Sequence, residues 1–96
     1  MNHQELQAAL LVFGLGDRAS LKEIKARHRQ LVKQHHPDAG AAAEAEPIRE
    51  INAAYRIILA YLDQYRFSFS EEEFLQQNPE ARLQRQFGHD PLWGKG

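Results

Sequence analysis

From residue 48 onward, Ile48, Ile51, Tyr55, Ile58, Leu62 and Tyr65 recur at intervals of three and four residues, the spacing that puts side chains on one face of an α-helix. A stripe sustained over more than four turns commits the chain to a long helix that must bury one side against another element. A second stripe precedes it. Leu21, Ile24, His28, Leu31 and His35 repeat at the same intervals. Pro37 ends that pattern, because it cannot donate the helical hydrogen bond and disfavours helical geometry at His36. Two amphipathic helices joined by a loop can lie antiparallel and bury their facing stripes. A chain of 96 residues has room for one such core and an appendage, not for two cores.

Local signals set the boundaries. Ser20 with Glu23 three residues later forms a capping box, which starts the second helix and gives it residues 21–35. Upstream, Leu6, Leu10 and Phe13 follow four-then-three spacing, and Gly14 closes a short first helix over residues 4–13, expected to lie across the base of the hairpin. The Ala- and Gly-rich stretch 39–46 has no apolar period and reads as a loop, after which Pro47 suits the first turn of the third helix. Beyond Tyr65, Ser70 and Glu73 make a second capping box, and Asn78-Pro79 separates that short helix from another containing Leu83 and Phe87, which Gly88 would stop. The expected architecture is all-α, with a helical hairpin and short first helix in residues 1–65 and a short-helical extension in residues 66–96. Phe67, Phe69, Phe74, Leu83, Phe87, Leu92 and Trp93 are too many large apolar groups for a free tail. Phe87, Leu92 and Trp93 are therefore expected to dock on the first domain, beside Tyr61 and Tyr65, with a partner-binding surface as the alternative that docking does not exclude.

The overall formal charge of −1 names no partner, but its distribution is uneven. Residues 1–40 carry six Lys/Arg against four Asp/Glu, whereas residues 41–96 carry six against nine. Lys22, Lys25, Arg29 and Lys33 share one face of the second helix, apart from its packing stripe. Cysteine is absent, which excludes a disulfide framework, a thiol nucleophile and a thiolate zinc site, and suits a reducing cytosol. Without cysteine or a helical His-Glu partner, His28, His35 and His36 are not read as metal ligands. No phosphate loop, and no nucleophile with a recognisable base, points to an enzyme. Residues 8–13 form the longest apolar stretch, far too short to span a bilayer, and the chain is read as soluble, unprocessed and cytoplasmic.

His36-Pro37-Asp38, set between a basic amphipathic helix and a longer antiparallel one, resembles the signature of the J-domain of the DnaJ family. Its surroundings strengthen the likeness. Gly14 resembles the family's glycine after the first helix, Ala19-Ser20 the start of its second, Glu23-Ile24-Lys25 that helix's first turn, and Leu31 its buried leucine five residues before the histidine. Ile51 and Ala54-Tyr55 resemble the isoleucine and Ala-Tyr of its third helix, so the likeness covers roughly residues 6–62. His28 and Gln30 stand where many members carry Tyr and Arg, and Gln34 where Lys is frequent. The family's fourth helix, a Gly/Phe-rich linker, a cysteine zinc module and a client-binding domain are not recognisable beyond Leu62.

The resemblance implies a co-chaperone that binds a DnaK-type heat-shock chaperone at its nucleotide-binding domain and interdomain linker. It would stimulate ATP hydrolysis there without contributing a catalytic group or a cofactor. His36, Pro37 and Asp38 would make the decisive contact, with Lys22, Lys25, Arg29 and Lys33 as the basic contact face. Two other readings compete. A basic helix could bind nucleic acid, against which stand the net charge of −1 and the lack of aromatic groups among those cations. Alternatively, His28, Gln30 and Gln34 could mark a scaffold that keeps the fold but no longer activates a chaperone. The particular chaperone, the client and the oligomeric state are not written in the sequence.

Overall fold

The computed structural model describes residues 1–35 and 46–87, and among these the regular structure is five helices without strands. The chain divides into two compact units, Met1–Tyr65 and Arg66–Gly96.

In the first unit, α1 spans His3–Phe13. Asn2 caps its start, its Oδ1 accepting the Glu5 N–H at 2.8 Å. Its end is a Schellman motif. The Gly14 N–H donates to the Leu11 carbonyl and the Leu15 N–H to that of Leu10, both at 3.1 Å. Gly14 sits at φ 67°, ψ 30°, left-handed backbone that a Cβ would strain, so glycine is required there.

Helix α2 spans Leu21–His35. Both halves of the expected capping box are formed: Glu23 N–H donates to Ser20 Oγ at 3.1 Å, and Ser20 N–H to Glu23 Oε1 at 2.8 Å. These two bonds favour the ionised carboxylate and hold the Glu23 carboxyl below its ordinary value of 4.5, the Ser20 backbone donor contributing most. A carboxyl depressed on folding stabilises the helix start above its unfolded pKa, and that contribution disappears as the pH falls through the folded value. Thermal unfolding of Glu23→Gln should accordingly show a deficit against wild type at neutral pH that closes below about pH 4. A deficit independent of pH would mean the charge plays no part.

Helix α3 spans Glu46–Asp63. The core forms where it meets the other two helices: Ala9 and Phe13 from α1, Ile24 and Leu31 from α2, and Ile51, Ala54 and Ile58 from α3 are all buried. Leu6, Leu10, Val32, Tyr55 and Leu62 pack around that centre. The two stripes are shorter in space than in sequence. Leu21 is 48% exposed and His35 is exposed, so α2 buries only its middle turns. Helices that cross at an angle touch around the crossing and diverge from it, which leaves the end positions of a stripe in water. Tyr65 lies beyond the end of α3, and Tyr61 is exposed with its ring tilted against that of Tyr65, centroids 5.7 Å apart.

The second unit contains α4 (Glu71–Gln77) and α5 (Pro79–Phe87). The expected Ser70–Glu73 box is half made. Ser70 Oγ accepts the Glu73 N–H at 3.2 Å, but the Ser70 N–H turns to Ser68 Oγ at 3.3 Å, while Glu73 Oε2 accepts from the Gln77 side chain. The second serine wins because it is nearer in the chain and already hydrogen-bonded to Ser70 Oγ. Asn78 ends α4, its side-chain amide donating to the Phe74 carbonyl at 2.8 Å, and its own carbonyl accepts the first α5 bond from the Arg82 N–H. Pro79 occupies the first position of α5, where no donor is needed. Arg85 ties α5 back to Glu71 of α4 at 2.6 Å. The stop expected at Gly88, and the docking expected of Leu92 and Trp93, lie outside the described residues.

Candidate functional site

The cationic face of α2 follows from where its packing face must go. With Ile24 and Leu31 turned into the core, helical geometry throws Lys22, Lys25, Arg29 and Lys33 into a sector of about 80° directed away from it. All four side chains are exposed, and among the described residues none is joined to a carboxylate by an ion pair. The expected grouping of Lys22, Lys25, Arg29 and Lys33 is thus present as a continuous positive strip. His36, Pro37 and Asp38, which follow α2 directly in the chain, lie outside the described residues.

The fifth cation of α2 behaves differently. Arg27 Nε donates to the Phe13 carbonyl at 2.7 Å, and Nη1 to Gln30 Oε1 at 3.2 Å. Helix α1 carries no basic residue in its own last turn, so this guanidinium brings positive charge to the negative end of the α1 dipole. The cost is that Arg27 turns away from the strip. Gln30, standing where many J-domains have Arg, takes part in holding it there.

Beneath the strip, α2 and α3 are joined by flat rings. His28 stacks on Tyr55 with centroids 3.8 Å apart and planes 6° from parallel, and Phe13 lies parallel to both at about 6 Å. The His28 imidazole also shares a 3.0 Å hydrogen bond with Asn52 Oδ1, the Nε2–H donating to the amide oxygen. His28 is half-buried, as a residue at the core boundary should be. The partnership with Asn52 could not be read in advance, since Asn52 stands one position off the apolar stripe and belongs to no recurrent pattern. Arg27 carried a faint signal, lying off the face shared by the other four cations. Among the described residues no group of three or more His, Asp or Glu is placed to hold a metal, and no helix is long and apolar enough to cross a membrane.

The comparisons with known proteins bear on the same part of the chain. The family model for the DnaJ domain matches residues 11–61, a stretch that includes the whole of α2, the cationic strip and the tripeptide at 36–38. The chain is similar to the chaperone protein DnaJ of Caldicellulosiruptor bescii, 35% identical over an alignment of 89 residues that covers 86% of this chain and 18% of that protein. The chaperone protein DnaJ of Clostridioides difficile is 32% identical over an alignment of 87 residues that covers 88% of this chain and 18% of the relative. That of Ureaplasma parvum is 40% identical over 47 residues, 49% of this chain and 12% of the relative. The chain therefore spans less than a fifth of the length of these relatives. No solved structure gives a significant match. The stripes, the glycine cap, the cationic strip on α2 and a family match over more than half its length place this chain in the DnaJ domain family.

Proposed function

We propose that this chain is a J-domain co-chaperone that works in the cytoplasm, binding a DnaK-type heat-shock chaperone and stimulating its ATP hydrolysis. The observation that supports it best is the conjunction of His36-Pro37-Asp38 with an outward strip of Lys22, Lys25, Arg29 and Lys33 that is in no ion pair among the described residues, both inside the matched residues 11–61. The co-chaperone supplies no catalytic group in this reading. It accelerates hydrolysis by binding one chaperone state better than another, since a partner shifts an equilibrium only by its difference in affinity between states. Asp38 supplies that difference through a charge-assisted bond to a cation near the chaperone's interdomain linker. Pro37 fixes the loop and lowers the cost of ordering it on contact, and the strip steers encounter with an acidic surface. Steady-state ATP hydrolysis by the cognate chaperone, with and without this protein, tests the reading directly. Acceleration is expected, and an unchanged rate at saturating co-chaperone would leave a scaffold that holds the fold alone.

The strip makes a separate prediction. Lys25→Ala combined with Arg29→Ala should weaken chaperone binding chiefly through the association rate, because exposed charges at the edge of a contact act on encounter more than on dissociation. The variant should also show a shallower dependence on salt, since the missing charges no longer attract across the solvent that salt screens. Equal association rates for variant and wild type at low ionic strength would make the strip a solvated face only.

A further inference from the structure

We propose that Arg56 of α3 is a further contact for the chaperone, a role that rests on the co-chaperone reading above: it carries the cationic strip of α2 across to α3, so the partner surface that fits is one whose carboxylates meet both helices. Helical geometry puts it there. Measured from buried Ile24, His28 lies about 40° round α2, with Lys25 and Arg29 about 100° and 140° round on the same side. Measured from buried Ile51, Tyr55 lies about 40° round α3, with Asn52 and Arg56 about 100° and 140° round. These two sides face one another, because His28 stacks on Tyr55 at 3.8 Å and hydrogen-bonds to Asn52 at 3.0 Å. In an antiparallel pair, one turn onward along α3 is one turn back along α2. Arg56, a turn beyond Asn52, therefore stands level with Lys25, a turn before His28.

The charges of both helices are sorted to match. On the side of α3 that meets α2 lie Arg49 and Arg56, with Asp63 two turns past Arg56, whereas Glu46 and Glu50 fall on the other side. Glu23, the one acid of α2, also lies away from this side and is engaged in the Ser20 cap. Arg49 is held by Glu46 at 3.4 Å. Arg56 is exposed and in no ion pair among the described residues, as are Lys25 and Arg29 opposite it. A carboxylate that enters between Lys25 and Arg56 gains from both charges, and the planar guanidinium can take both of its oxygens at once. A strip on one helix attracts a partner but leaves it free to roll about the α2 axis. A cation on the second helix fixes that rotation, and like charge presented from two walls excludes a basic surface more strongly than one strip does.

Stopped-flow association of the full chain with its ATP-loaded chaperone, at several ionic strengths and beside thermal unfolding of each variant, tests the contact. At low salt Arg56→Ala should associate about threefold more slowly than wild type, and Arg56→Glu about tenfold more slowly. Both should show a shallower dependence on salt. Arg56→Lys keeps the charge and should associate as wild type does. Arg82→Ala removes the same charge from α5 and should leave the rate unchanged, which separates a local contact from the field of the whole protein. Melting temperatures should agree throughout, because the Arg56 side chain is already in solvent. A wild-type rate for Arg56→Glu, or an equal loss in Arg82→Ala, would overturn the contact and leave the co-chaperone reading intact. A wild-type protein that neither binds the chaperone nor accelerates its hydrolysis would overturn both.

Discussion

Asp38→Asn is expected to abolish stimulation of chaperone ATP hydrolysis while leaving the thermal unfolding of the protein unchanged. Asparagine keeps the shape of aspartate and removes its charge, so the substitution isolates the ion pair from everything else the loop does. Losing one member of a desolvated, hydrogen-bonded charge pair costs about 2–5 kcal/mol, equivalent to a factor of about thirty or more in the affinity for the activated state. His36→Gln is expected to fail in the same assay with the same intact fold. Wild-type stimulation by Asp38→Asn would remove the electrostatic basis of the mechanism, even if the protein still bound the chaperone through α2. The strip and the tripeptide thus make different demands: the strip on encounter rate and salt, the aspartate on the size of the stimulated rate at saturation.

How far this site could be read in the sequence depended on whether a feature was local. The Ser20–Glu23 box, the Gly14 cap and the Asn78-Pro79 break are decided by residues within four positions of one another, and each stands where the sequence puts it. The strip was legible for a related reason, since helical periodicity alone separates Lys22, Lys25, Arg29 and Lys33 from Ile24 and Leu31. Two kinds of feature were not. The ends of a stripe depend on where helices cross, so periodicity points Leu21 and His35 inward while the fold leaves Leu21 half exposed and His35 in solvent. Contacts between distant residues of mixed character were also hidden: Arg27 reaching the Phe13 carbonyl, and His28 held between Tyr55 and Asn52, join positions 14 and 24 residues or more apart with no pattern to pair them. The half-made box at Ser70 is an intermediate case, where Ser68 offered a competing acceptor that the motif does not include. His28 shows how a departure from the family is absorbed. Its ring lies flat on Tyr55, and its one polar contact to α3 is satisfied by Asn52, so the histidine joins the two long helices by stacking and by a hydrogen bond at once.

Phe13→Ala is expected to be the most damaging single substitution in the first unit. Phe13 is 0% exposed, the one large side chain that is fully buried among the described residues, and its ring lies parallel to those of His28 and Tyr55. It therefore joins α1 to both long helices at a single point. Truncating a buried phenylalanine costs about 3–5 kcal/mol, from lost transfer energy and from the cavity left behind. A domain of this size holds only the lower part of the ordinary range of about 5–15 kcal/mol, so the loss consumes most of its stability. The melting temperature should fall by on the order of 20 °C. The effect belongs to the side chain and not to the helix cap, because Arg27 bonds the backbone carbonyl of Phe13, which alanine retains. Phe13→Leu, closer in volume, should cost less than about 2 kcal/mol, and Leu11→Ala, at a position 81% exposed on the same helix, should cost almost nothing. Far-ultraviolet circular dichroism during heating measures all three. A fall for Phe13→Ala no larger than that for Leu11→Ala would mean that α1 is not held by this ring, and α2 would then have to keep its strip turned outward through α3 alone.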